Sequence, residues 1–286
     1  MEVAQKTYIC CYWKTYNMKD VAIRFLSGVL FVSLIFISIF LSREWFIGLL
    51  FVLAIITLNE FLRLLSLKGI IAYFLLTIAF YFFSYKEINP ISENILLGLS
   101  ILVNLFLLRD ALILKELTLF NKRRYFCILF YIISGFVFLT LIPSIGIGDK
   151  FNPTILLGIF ILVWSNDTFA YLIGKSFGKR KLMESISPKK TVEGFFGGLI
   201  GALIASFILS KFTGLYNIYI WLSLAIIISL MGTIGDLIQS KFKRKAGVKD
   251  SGKIMPGHGG LYDRLDSIIY ASPFIYSFLS IIDYVS

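Results

Sequence analysis

Five carboxylates in the second half of the chain, Asp167, Asp236, Asp250, Asp263 and Asp266, lie in or beside long apolar runs or in the loop that joins two of them. A carboxylate in or beside a membrane span is costly unless it faces a polar cavity, a metal or a cation. Asp263 and Asp266 are three residues apart, so on a helix they share a face. If the run ending near Asp236 meets the run beginning near Asp263, three or four carboxylates converge, with Asp250 in the loop between. Such a set of hard oxygen ligands suits Mg²⁺ or Mn²⁺. The plainer reading is a group of helix-end charges paired with Lys243, Arg244 or Arg264.

The loop between Asp236 and Asp263 weighs toward chemistry. Lys243, Arg244, Lys249 and Arg264 supply cations, and Gly257, Gly259 and Gly260 let the backbone approach a ligand. The loop leads into a helix N-terminus, where free N–H groups favour an anion. Carboxylates for a metal, cations for phosphate and a glycine turn before a helix together fit a metal-bound polyphosphate. Upstream, Ser187 and Pro188 predict a helix start, as cap and first residue. That places Lys189 and Lys190 in a first turn, where they oppose the helix dipole unless an anion binds. His258, the only histidine, suits phosphate contact or loop geometry, with proton transfer as its catalytic alternative. Gly174-Lys175-Ser176 is not a phosphate loop, because that pattern requires glycine where Phe169 stands. Cys10, Cys11 and Cys127 have no zinc or disulfide spacing.

The elements that must position these residues are membrane helices. The 286-residue chain is 58% hydrophobic and only 16% charged, more apolar than one soluble core can use. The fold class is therefore an all-α polytopic integral membrane protein. Nine spans are expected, near 21–42, 45–65, 69–85, 94–113, 125–143, 154–173, 193–210, 217–238 and 260–282, with eight or ten as the neighbouring counts. With the N-terminus inside, the loops near 66–68, 114–124, 174–192 and 239–259 are cytoplasmic. All but four of the 28 Lys and Arg then lie on that side, the exceptions being Arg43, Lys86, Lys150 and Lys211. This is a strong positive-inside bias. The net charge of +11 is accounted for by orientation and by attraction to anionic lipid or polyphosphate. No aromatic-studded polar domain is present for nucleic acid.

The organisation expected is an N-terminal extension over 1–17, possibly not native since Met18 is a natural start, then helices over 18–150 and a catalytic region over 151–286. The chemistry is expected after about residue 160. Gly194, Gly197, Gly198 and Gly201 place small residues at i and i+4 on the seventh span. That is a close-packing stripe, expected within one subunit, with a homodimer interface as the alternative.

The segment 240–266 resembles the signature of the phosphatidate cytidylyltransferase family, also called CDP-diacylglycerol synthases. Ser240, Phe242, Lys243, Arg244, Lys249, Asp250, Gly252, Pro256, His258, Gly259, Gly260, Leu261, Asp263, Arg264, Leu265 and Asp266 stand at its fixed positions. Met255 replaces the usual Leu, Ile or Phe. Upstream, Asp167, Tyr171, Gly174, Gly178, Lys179 and the run Ser187-Pro-Lys-Lys-Thr191 are similar to further family motifs. The likeness covers about 160–270, while the first 150 residues match in hydropathy only.

The resemblance implies CTP and phosphatidic acid as substrates, in a cell (inner) membrane, with the site facing the cytoplasm. It implies Mg²⁺, with a second cation such as K⁺ as an alternative count. Asp236 and Asp263 are the expected metal ligands. Asp250, His258 and Asp266 are expected in catalysis. Lys189, Lys190, Lys243, Arg244, Lys249, Gly259, Gly260, Arg264 and Asp167 are expected to bind substrate. Two other readings stay open at this point: an ion-coupled transporter, and another CTP-using lipid enzyme such as a polyprenol kinase.

Overall fold

The computed structural model describes residues 18–86, 89–113, 117, 123–145, 151–257 and 259–285. The expected extension over 1–17, with Cys10 and Cys11, lies outside the described residues, as does His258. Nine helices run through the described residues. They are α1 (Met18–Leu41), α2 (Arg43–Leu64), α3 (Ile70–Tyr85), α4 (Pro90–Leu112), α5 (Arg124–Ser144), α6 (Pro153–Phe177), α7 (Val192–Phe212), α8 (Ile218–Lys245) and α9 (Tyr262–Val285). Eight are long and apolar enough to cross a membrane, and α3 is a shorter apolar helix. This is an all-α polytopic membrane protein.

Local sequence explains where the helices begin. Asn89, Asn152 and Asn217 each accept a hydrogen bond from the first turn of α4, α6 and α8, at 3.0 Å. Pro90 and Pro153 follow two of these caps, at the position where a missing N–H costs nothing. Pro273 sits inside α9 and leaves the Ile269 carbonyl without its usual helical donor. The Ser272 hydroxyl lies 3.1 Å from that carbonyl and 2.6 Å from the Gly135 carbonyl of α5.

The basic loops gather at one end of the bundle. The Ser27 hydroxyl of α1 donates to the Pro256 carbonyl, and the Tyr125 hydroxyl of α5 donates to the Lys68 carbonyl. Lys241 of α8 donates to the Asp110 and Ala111 carbonyls at the end of α4. Toward the other end, Arg43 donates to the Ser84 carbonyl at 2.8 Å.

Two features position the site. The first is an aromatic cluster directly beneath the loop that joins α8 to α9. Phe61 meets Tyr131, Phe242 and Tyr262 edge-on, with ring centroids 5.1–6.2 Å apart. The Tyr131 and Tyr262 hydroxyls pair at 2.9 Å. The second is the close approach of α6 and α7. A Cβ at Gly197 would meet Ile173 at 2.5 Å, and one at Gly201 would meet Phe169 at 2.5 Å. The small-residue stripe therefore packs within one subunit, as expected.

One local expectation is corrected. Ser187 does not cap a helix. Residues Ser187–Thr191 form strand β2, antiparallel to β1 (Lys181–Met183), with Lys181 opposite Thr191 and Met183 opposite Ser187. The helix starts later, where Thr191 accepts from the Gly194 N–H at 3.1 Å. The first turn of α7 carries Glu193, not Lys189 and Lys190, so the dipole is complemented rather than opposed.

Candidate functional site at the basic end of the bundle

The loop between α8 and α9 is a folded object. Ala246 ends α8 and Gly247 follows with φ +70°. Met255 and Gly259 exchange backbone hydrogen bonds at 3.0 and 3.2 Å, closing a tight turn. Gly257 and Gly259 hold φ +75° and +90°, conformations in which a side chain is strained.

Asp263 organises this loop. Its Oδ1 accepts from Gln239 Nε2 at 3.0 Å and Lys243 Nζ at 2.8 Å. Its Oδ2 accepts from the Ser251 N–H at 2.9 Å, the Gly260 N–H at 3.1 Å and the Ser251 hydroxyl at 3.1 Å. A carboxylate offers about four lone-pair positions. The Ser251 hydroxyl has a single proton, for which Glu60 at 2.8 Å competes; the other four donors already fill these positions, so Asp263 can lend an oxygen to a metal only by releasing one.

A second carboxylate holds the same loop from beneath. Glu60 of α2 is 2% exposed and accepts from the Ser251 hydroxyl at 2.8 Å, the Leu261 N–H at 3.0 Å and the Tyr262 N–H at 2.9 Å. Sequence reasoning missed this residue. Its signal was an acid inside an apolar run, in the half of the chain where no chemistry was expected.

The other expected acids meet on the far side. The β-hairpin carries Lys190 onto Asp236, with Nζ 2.5 Å from Oδ2. Alternation along β2 sends Lys189 to the opposite face, where it is exposed. The hairpin is tied down by Glu193, which accepts from the Lys179 and Arg180 N–H groups at 3.0–3.2 Å. Ser240 donates to Asp236 at 3.2 Å, and Asn166 donates to Asp167 at 3.3 Å. Asp236 is within electrostatic reach of both Asp167 and Asp266, and Lys190 offsets charge on each of these two. Arg264 adds positive charge near Asp167. Asp266 is 7% exposed and accepts from the Ser267 N–H at 2.7 Å.

The donor set fits a hard cation. Asp236, Gln239, Ser240 and Lys243 recur at helical spacing on one face of α8, turned toward Asp263 and Lys190. Gln239 Oε1 is buried and has no hydrogen-bond partner among the described residues. Every available donor is oxygen, the preference of Mg²⁺. Among the described residues no three acidic, His or Cys side chains enclose a metal by themselves.

The remaining expected residues are placed less centrally. Arg244 donates to the Ile186 and Val248 carbonyls at 3.4 and 3.3 Å, so it braces the hairpin against the loop. Lys249, Asp250 and Arg264 are exposed. Asp250 and Ser251 also line a cavity of about 500 Å³ with Arg63, Arg124 and Lys245, cations that were not among the expected site residues.

Comparison with known proteins places the chain in a family. The cytidylyltransferase family matches the chain over residues 22–282. A phosphatidate cytidylyltransferase of Staphylococcus saprophyticus is 42% identical over 177 residues, covering 59% of this chain and 66% of the relative. Proteins of the same name from Staphylococcus haemolyticus and Staphylococcus aureus are each 41% identical, with the same coverage. The alignments thus span just under two thirds of these relatives' length.

Proposed function

Because this chain belongs to the cytidylyltransferase family, we propose that it transfers a cytidylyl group from CTP to phosphatidic acid, giving CDP-diacylglycerol and pyrophosphate. One observation carries the reading. Lys190 pairs with Asp236 at the basic end of an apolar helix bundle, within electrostatic reach of Asp167 and Asp266, and Arg264 adds positive charge near Asp167. A lipid phosphate and a soluble triphosphate can meet only at such a boundary.

In the proposed reaction an oxygen of the lipid phosphate attacks the α-phosphorus of CTP. The bond from that phosphorus to the oxygen bridging to the β-phosphorus breaks, and pyrophosphate leaves in line. The nucleophile is already anionic, so no strong base is required and His258 need only touch phosphate. The obstacle is charge, since two polyanionic groups must approach. Lys190, Lys189, Lys249 and Arg264 lower that charge, and the N–H groups at Gly259 and Gly260 lie beside the start of α9, where an anion is favoured. Arg244 acts by holding the hairpin that presents Lys190. Asp236 would hold Mg²⁺, with Gln239 Oε1, Asp266 and Asp263 as the further oxygens that could serve it. When bound, Mg²⁺ offsets phosphate charge and aligns the triphosphate. The site faces the cytoplasm of a cell membrane, where CTP is available. The basic loops at this end support that orientation.

The test supplies purified protein in liposomes with CTP and either phosphatidic acid or a free lipid alcohol, with and without Mg²⁺. Formation of CDP-diacylglycerol from phosphatidic acid alone, dependent on Mg²⁺, is the expected result. Consumption of CTP only with the alcohol would assign a lipid kinase instead. Ion flux without CTP consumption would assign a transporter.

A further inference from the structure

Glu60 stands in α2, 191 residues from Ser251, in the part of the chain with no motif of its own. It is 2% exposed, and both oxygens accept hydrogen bonds from the α8–α9 loop. Leu261 and Tyr262 begin α9, so their N–H groups belong to the unsatisfied donors of a helix start. Glu60 satisfies both from another helix, where the dipole also favours a carboxylate. The loop is moulded to it. A Cβ at Gly252 would overlap Glu60 Oε1 and stand 2.7 Å from its Cδ, with no other neighbour as close. A Cβ at Gly260 would overlap Glu60 Oε2 and the Ser251 hydroxyl.

The single Ser251 hydroxyl lies between Glu60 Oε2 at 2.8 Å and Asp263 Oδ2 at 3.1 Å. The Ser251 and Gly260 N–H groups that fix Asp263 belong to residues Glu60 holds or abuts. We propose that Glu60 is a positioning residue of this site: it ties the middle of the α8–α9 loop, at Ser251, to the start of α9, at Leu261 and Tyr262, and so sets the orientation of Asp263 and Lys243 toward substrate. The proposal rests on the activity above. It needs a carboxylate at this position, since Glu is acceptor-only, whereas an amide would turn a donor toward a backbone N–H.

Full-length protein carrying Glu60→Gln, Glu60→Ala or the milder Ser251→Ala is assayed in liposomes for CDP-diacylglycerol formation across CTP and Mg²⁺ concentrations. The two Glu60 variants should raise the KM for CTP or the Mg²⁺ needed for half-activation by about 10–100-fold, as loss of an orienting partner does. Ser251→Ala should shift the same constants less. Gly252→Ala should be damaging in the wild type and nearly without effect in the Glu60→Ala background, since the overlapping group is then gone. Wild-type constants in Glu60→Gln, or an equal cost of Gly252→Ala in both backgrounds, would overturn the proposal. Amide exchange at Leu261 and Tyr262 reads the clamp without substrate. Faster exchange in Glu60→Gln is expected, and unchanged exchange would overturn it even if the variant folds poorly. A wild type that makes no product from CTP and phosphatidic acid defeats the proposed activity, and the exchange measurement still judges the clamp.

Discussion

Asp236 and Asp263 look equivalent in sequence, and the structure separates them. Asp263 is saturated by four N–H donors and shapes the loop, whereas Asp236 has one serine and one lysine partner and more open surroundings. Asp236→Asn should therefore cut turnover by about 10–100-fold with little change in folding, and raising Mg²⁺ should recover part of it. Arg264→Ala should gain less from added Mg²⁺, because the role proposed for its charge is to meet phosphate. Equal rescue of the two would argue against separate roles. Asp263→Asn should lower activity and also loosen the loop, read as faster proteolysis between α8 and α9. The acids and cations were legible as types, because an ionised group in an apolar chain has few explanations. Their pairings were not, since Lys190 reaches Asp236 across 45 residues of intervening chain. Glu60 was visible as an acid within an apolar run, yet nothing local shows that it touches Leu261 and Tyr262.

The helices were readable from run length. The segment before α7 was not, because it carries two competing start signals. Ser187-Pro188 and Thr191 each can open a helix, and the choice is made by distant groups. Pairing with β1 and the acceptance of the Lys179 and Arg180 N–H groups by Glu193 settle it for Thr191. Thr191→Ala should cost about 1 kcal/mol of stability, as loss of a side-chain N-cap does, measured by thermal unfolding in detergent. It should also raise the KM for CTP, because the hairpin that carries Lys190 ends at that cap. The glycine stripe of α7 makes a sharper demand. A Cβ at Gly198 would stand 2.8 Å from the Asn166 carbonyl oxygen. Gly198→Leu should separate α6 from α7, lowering the melting temperature and displacing Asp167.

For the whole molecule, the charge pattern anticipated that the large loops share one end, and the interlocking contacts from α1, α2 and α4 to the α8–α9 region agree. The chemistry was expected after about residue 160, and α2, from the earlier half, brings Glu60 beneath the loop and Arg63 to the adjoining cavity. Apolar spans hide such contributions, since hydropathy records which residues enter the bilayer and not which polar group they bring to a partner. The proposed orientation predicts that Lys249→Cys, in a chain with its own cysteines replaced, reacts with an impermeant thiol reagent only from the cytoplasmic side. The central claim is cytidylyl transfer, and the position of the transferred phosphorus tests it most directly. CTP labelled at either the α- or the γ-phosphorus is supplied with phosphatidic acid, Mg²⁺ and the protein in liposomes. The account predicts that α-label enters the lipid phase while γ-label leaves as pyrophosphate. Lipid that carries γ-label, or neither label, would contradict it.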